Sequence, residues 1–412
     1  MKLKCENIGK LSSAEVEINS ITVIAGLNST GKSTVGKVLY CIFNSFHDLK
    51  TESIRILSSY LERKFFESDI FFGGANINPC INTLLKKRNN ISVNEVKAII
   101  HNYLGEEFTN KKSDVYYNDI QRTLNLTDKE LYTSILQNKI FSEFNNQIQN
   151  LYFPTQPSKV VLTIGKQNIE VNIHNNEITD LQNFMDLRTE VIYIDDPFVL
   201  DNLSPIYGMV RSGPGHKSDL IRKLRIHAQN KSEIENVINQ NLISHKIDRI
   251  NNKLNEACNG NIVLNKKRGF SFHINDTNSD LEIINISTGL KAFAIIKTLL
   301  MNGSLEQKGT LVLDEPEIHL HPQWQILLAE IIVLIQKEFD MHILINSHSP
   351  YFIDAIDKFS QVYEIRDTCK FYCSQENDNN TSILNDVTDD LTPIYELLYQ
   401  PMETIDKINI DK

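Results

Sequence analysis

Ile21-Thr-Val-Ile-Ala-Gly-Leu-Asn-Ser-Thr-Gly-Lys-Ser-Thr34 is the stretch on which the reading of this chain turns. Gly26 to Ser33 spell G-x-x-x-x-G-K-S, and the β-prone residues Ile21, Val23 and Ile24 precede the loop as a buried strand would. Val35, Val38, Leu39, Ile42, Phe43 and Phe46 then recur at helical spacing. Strand, glycine loop and helix, in that order, turn the pattern into a phosphate-binding P-loop. The physics is anion capture. Gly26 and Gly31 let the backbone wrap closely, successive N–H groups point inward, and the helix N-terminus adds partial positive charge. Lys32 is expected to reach the β- and γ-phosphates of a nucleotide, and the Ser33 hydroxyl to ligate Mg²⁺. Asn28, Ser29, Thr30 and Thr34 complete the expected phosphate-binding set.

Working outward, 412 residues allow two or three domains, or one large domain carrying an insertion. The net charge of −10 argues against a surface broadly coated for DNA, while leaving a local basic groove open. The cysteines, Cys5, Cys41, Cys80, Cys258, Cys369 and Cys373, are scattered, and no C-x-x-C occurs. That pattern points to free thiols in a reduced, cytoplasmic protein. No apolar run approaches the roughly 20 residues that span a bilayer, and the first residues lack a signal peptide's apolar core, so no membrane partner is expected.

Residues 2–24 read as short strands, with a turn at Asn19-Ser20. From about residue 50 the pattern becomes helical. Ser92 with Glu95 and Thr127 with Glu130 form capping boxes, while Gly73-Gly74 and Pro79 interrupt the first part. Pro154 and Pro157 close this region in a linker. Strand signals return at 160–164, 169–173 and 191–194. A loop rich in Gly and Pro follows (Gly208 to Gly215), then a helix capped by Ser232 and Glu235 that keeps its spacing to Ala257.

Three further stretches carry chemistry. Thr310-Leu-Val-Leu-Asp-Glu-Pro-Glu317 is an apolar strand ending in carboxylates, at the strand edge where open α/β sheets bind ligands. There Asp314 is expected to hold Mg²⁺, and Glu315 to act as general base on the attacking water. Met341-His-Ile-Leu-Ile-Asn-Ser-His-Ser-Pro350 is a second such strand, and its His348 falls where a γ-phosphate sensor would sit. Asn285-Ile-Ser-Thr-Gly-Leu-Lys291 precedes an apolar helix, with Ser287 at the N-cap, making a second anion site.

Together these segments resemble the ABC-type ATPases of the SMC, RecF and OLD group. The order is Walker A, long insertion, signature, Walker B, D-loop and switch histidine. Ile286-Ser-Thr-Gly-Leu-Lys-Ala292 is similar to the group's L-S-S-G-E-K-A signature, with Leu290 in place of the usual Glu or Gln. Asp314-Glu-Pro-Glu-Ile-His-Leu-His-Pro322 and Ser347-His348-Ser349-Pro350 resemble the Walker B, D-loop and switch of OLD-like ATPases. The resemblance assigns His319 and His321 to the D-loop rather than to a metal. Ile192-Tyr-Ile-Asp195 stands where a Q-loop would, without its Gln. Within that group the motifs resemble those of stand-alone ATPases of bacterial anti-phage systems such as PARIS and Septu.

The resemblance implies an α/β P-loop NTPase of ABC type: ATPase parts at 1–50 and 159–412, and a mostly helical insertion at 51–158. It implies ATP and Mg²⁺ as ligands, and a homodimer or higher homo-oligomer in which Ser287 and Gly289 of one copy contact the nucleotide held by Lys32 of another. The tail after His348 shows no D-x-D nuclease motif. A separate effector, a nuclease or a toxin, is therefore the expected partner, with the ATPase as its sensor or scaffold. A RecF-like repair or recombination ATPase that binds DNA directly stays open as the alternative, through Lys86-Lys-Arg88, Lys111-Lys112 or Lys266-Lys-Arg268.

Overall fold

The computed structural model describes residues 1–66, 77–110, 112–203, 215–225, 247–265, 269–275, 277 and 279–406. The Gly73-Gly74 break, most of the Gly208–Gly215 loop, the Ser232/Glu235 cap and Lys266–Arg268 lie outside them. The chain divides into two compact units. A sheet unit takes Met1–Asn44, Asn138–Phe184 and Thr189–Lys412, and a helical unit takes Ser45–Gln137 with Met185–Arg188. Residues 138–158, which fall inside the expected insertion, pack with the sheet unit.

The sheet unit is built on eleven strands: β1 (Lys2–Ile8), β2 (Leu11–Glu17), β3 (Ile21–Gly26), β4 (Ser158–Ile164), β5 (Gln167–His174), β6 (Glu177–Gln182), β7 (Val191–Ile194), β11 (Thr310–Asp314), β12 (His342–Ser347), β13 (Lys370–Glu376) and β14 (Ser382–Asp386). Their spatial order is β6-β5-β4-β1-β2-β14-β13-β3-β12-β11-β7. From β13 through β3, β12 and β11 to β7 every pair is parallel. β6, β5, β4, β1 and β2 form an antiparallel arm. The composition explains the split. β3, β7 and β11 are buried at every position, as strands covered on both faces must be, whereas β2 alternates buried with more exposed residues. β8 (Gly260–Asn265), β9 (Gly269–Ile274) and β10 (Asp280–Glu282) form a separate antiparallel sheet.

Helices α8 (His216–Leu224), α9 (residues 247–257), α10 (Thr288–Met301), α11 (Pro322–Phe339), α12 (Pro350–Val362) and α13 (Thr392–Asp406) complete this unit. α10 and α11 are apolar around most of their circumference, as core helices are, and Phe293, Ile295, Leu299, Ile331, Ile332 and Ile335 are fully buried. Helix α1 (Lys32–Phe46) buries the predicted face, Val35, Val38, Leu39, Ile42, Phe43 and Phe46. Gly36 permits its close approach to the sheet: an added Cβ would lie 2.8 Å from Tyr193 Cε2 and from Val312 Cγ1. Among the described residues no helix is long and apolar enough to cross a membrane.

The helical unit holds α2 (Leu49–Phe66), α3 (Asn78–Lys86), α4 (Val93–Leu104), α5 (Glu106–Asn110), α6 (Asp114–Leu124) and most of α7 (Asp128–Phe144). Leu61, Phe65, Ile81, Leu84, Val96, Ile100 and Tyr117 are among its own core residues. Both capping boxes form: Glu95 N–H donates to Ser92 Oγ and Glu130 N–H to Thr127 Oγ1, each carboxylate reaching back to the cap N–H. Two cations of the Lys86–Arg88 run are paired, Arg88 with Asp128 at 2.7 Å and Lys87 with Glu95 at 3.4 Å, so this run is not an open cationic strip.

Candidate nucleotide site

The loop between β3 and α1 is a concave run of backbone. Ser29 (φ 62°) and Gly31 (φ 85°) both take the left-handed region, the alternation that turns successive N–H groups to one side. Strand β13 braces it from the tail, where sequence reasoning found no motif: Ser374 Oγ donates to Thr30 O at 2.9 Å, and Ser374 pairs with Gly26 in the sheet. Lys32 is 4% exposed. Its ammonium donates to Gly26 O (2.9 Å) and Leu27 O (2.7 Å) and lies 3.8 Å from Glu315 Oε1. Burial draws its pKa down, and Glu315, Asp314 and Glu317 only partly oppose that.

Parallel register sets the acids beside this loop. Asp314 ends β11 opposite Asn346 of β12, and Ser347 stands opposite Ala25 of β3. Asp314 Oδ1 accepts from Ser33 Oγ (3.1 Å) and Asn346 Nδ2 (2.9 Å), and Oδ2 accepts from Tyr193 OH (2.7 Å). Burial, with Asp314 alongside, holds the Tyr193 phenol far above its ordinary pKa, so it stays a donor. Glu315 follows with φ 50°, while its N–H donates to Asn346 O at 2.9 Å. A non-glycine residue in that region costs about 1–2 kcal/mol, and such strain gathers at functional sites. His348 Nδ1 lies 3.2 Å from Glu315 Oε1, off the line of a hydrogen bond. Thus Lys32, Ser33, Asp314, Glu315 and His348 converge at the ends of β3, β11 and β12. The oxygens of Ser33 and Asp314, without sulfur or imidazole among them, form a donor set suited to a hard cation such as Mg²⁺.

The signature residues stand at the start of α10. Ser287 stands at the N-cap position of α10, exposed, and its side chain makes no cap bond. Gly289 is buried, and an added Cβ would lie 3.2 Å from His319 O and from Trp324 Cζ3. Leu290, where the group carries Glu or Gln, packs against the apolar core. Lys291 is buried and paired with Asp201 at 2.6 Å. His321 caps α11 by accepting from Gln323 N–H, and among the described residues no cluster of three His, Cys, Asp or Glu side chains is placed to hold a metal.

Besides Ser374, sequence reasoning missed four participants. Asn346 and Tyr193 hold Asp314, as described. Glu317 is 1% exposed, accepts from Ser347 Oγ, leaves Oε2 without a partner, and has its pKa raised by burial. The one signal for Asn346 was its place in the polar end, Asn346-Ser347-His348, of an apolar strand. The fourth is His216, at the start of α8. Its Nδ1 bonds Glu143 Oε2 at 2.7 Å, its Nε2 lies 3.0 Å from Asp195 Oδ2, and its ring packs on Tyr193 with centroids 4.6 Å apart.

Burial alone would lower the His216 pKa, but the carboxylates of Asp195 and Glu143 outweigh it and push it up to about 9. The unfolded value is about 6.5, so the stabilisation is complete below that pH and fades as pH rises to about 9. His216→Gln should cost about 3–5 kcal/mol near pH 6, because it leaves the buried carboxylate of Glu143 and the half-buried one of Asp195 facing each other without the imidazolium between them. The gap in melting temperature to wild type should narrow by pH 9. A gap constant from pH 6 to 9 would mean that His216 is neutral in the fold.

The family described as AAA ATPase domain matches residues 1–353. The retron Vc95 probable ATPase of Vibrio cholerae serotype O1 biovar El Tor is 21% identical over 390 residues, covering 85% of this chain and 70% of that protein. Among solved structures, an SMC head bound to the C-winged helix domain of ScpA is 12% identical, with a TM-score of 0.45 over 96% of this chain and 98% of that one. The SMC head domain from Thermotoga maritima is 11% identical, with a TM-score of 0.38 over 94% and 98%.

Proposed function

The chain belongs to the AAA ATPase domain family and is an ATPase, and from that premise we propose that it works as an ABC-type head, in a head-to-tail pair with a second copy, whose ATP cycle controls a separate effector protein. The observation that carries the reading is the convergence of Lys32, Ser33, Asp314, Glu315 and His348 at one edge of the parallel sheet. On this reading Lys32 and the N–H groups of residues 28–34 take the β- and γ-phosphates. Ser33 and Asp314 hold Mg²⁺, which supplies charge neutralisation between those phosphates when bound. Glu315 accepts the proton of the attacking water, and His348, beside it, senses the γ-phosphate.

The second copy enters through the signature. Ser287 presents an exposed hydroxyl at a helix N-terminus, free of any duty to its own cap. Ser287→Arg should leave ATP binding within a few-fold of wild type and abolish turnover. Mixing it with Lys32→Met protein should restore turnover, because one composite site per mixed dimer keeps both halves. If mixed dimers form and turnover stays absent, the head-to-tail arrangement is wrong.

The effector role rests on the motif resemblance to stand-alone ATPases of anti-phage systems such as PARIS and Septu. A relative bearing the name of a retron's ATPase accords with an ATPase that serves a larger system. The helical unit, with its own core and caps, is the part we assign to partner recognition.

A further inference from the structure

Asp314 has three donors, and only two of them come from segments that carry nucleotide motifs. Ser33 and Asn346 both donate to Oδ1. A carboxylate held through one oxygen can still turn about its broad, twofold final torsion. The third donor, the Tyr193 hydroxyl, takes Oδ2 at 2.7 Å and closes off that rotation. Tyr193 is itself clamped. It is 2% exposed, its ring lies edge-on to Tyr40 at 6.3 Å, and it fills the space left by Gly36. His216 packs on it at 4.6 Å and is fixed in turn by Glu143 and Asp195.

We propose that Tyr193 is a positioning residue for the cation site, fixing the orientation of the Asp314 carboxylate from a strand outside the nucleotide motifs, with His216 holding the tyrosine ring in place. The proposal rests on the reading that Ser33 and Asp314 hold Mg²⁺. Tyr193 lies on the segment 192–195, where the resemblance expects a Gln and this chain has none. In this chain that segment acts on the acid that would hold the cation. Outer-shell partners of metal ligands typically change metal affinity or activity about 10–100-fold when removed.

Tyr193→Phe removes the hydroxyl and keeps the packed ring. With Mn²⁺ as paramagnetic probe and ADP as nucleotide, electron paramagnetic resonance should show Mn²⁺ affinity of the ADP complex falling about 10–100-fold. The Mg²⁺ concentration for half-maximal turnover should rise in parallel. ADP affinity in excess EDTA should stay within a few-fold of wild type, and the melting temperature should change little. Mn²⁺ affinity within twofold of wild type overturns the positioning role, whatever happens to stability. Failure of the wild-type protein to take up Mn²⁺ with ADP would instead overturn the ATP-site reading, and this inference with it.

Discussion

Glu315→Gln is expected to bind ATP within a few-fold of wild type and to lose about 10²–10⁴-fold in turnover, the range that a positioned general base contributes. The amide occupies the same volume, so the left-handed backbone at residue 315 and its N–H bond to Asn346 O should survive. What disappears is the proton acceptor. The variant also removes the charge 3.8 Å from Lys32 and 3.2 Å from His348, which slightly favours an anionic ligand beside the ammonium. Phosphate release gives the rate, fluorescent nucleotide titration gives the affinity, and light scattering should show a dimer that builds up only with ATP. Turnover at the wild-type rate would remove Glu315 from the chemistry and leave His348 as the group to test. The trapped protein is also the bait for the effector, which should co-purify in ATP and dissociate in ADP.

The nucleotide motifs were legible because each is local. A strand, a turn and a helix N-terminus specify a P-loop within fourteen consecutive residues, and Asp314-Glu315 or Ser347-His348 simply end apolar strands. The parts that were not legible depend on which strands become neighbours. Tyr193 meets Asp314 because β7 pairs in parallel with β11, and nothing near residue 193 announces that pairing. β13 lies beside β3 although hundreds of residues separate them, so Ser374 could not be foreseen as a brace for the P-loop. His216 comes just after the Gly- and Pro-rich stretch Gly208–Gly215 and belongs to no motif. Its partners Glu143 and Asp195 are distant in sequence, and a buried charge cluster leaves no periodic trace. The tail after residue 353 shows the same limit. Read for a nuclease motif it says nothing, yet it contributes β13, β14, α13 and most of α12 to the sheet unit.

Lys32→Met should separate binding from folding. In the folded protein the ammonium is buried, and its lowered pKa means that the fold disfavours the charged form relative to the unfolded chain. The sign follows from linkage: a lysine with a depressed folded pKa makes the protein gain stability as pH rises through that pKa. Met keeps the stem's packing and removes the buried charge, while the carbonyls of Gly26 and Leu27 lose a donor. These effects oppose each other, so the nucleotide-free variant should melt close to wild type. Binding has no such offset. Each charge-assisted hydrogen bond to phosphate is worth about 1.5–3 kcal/mol, and losing two of them weakens ATP by about 10²-fold or more. Wild type at a nucleotide concentration 100 times its Kd should gain about 2.7 kcal/mol, seen as a raised melting temperature, and the variant should gain almost nothing at the same concentration. A variant that melts like wild type and still shows the full nucleotide shift would mean that phosphate is held elsewhere, and the Gly26–Ser33 loop would lose its assignment.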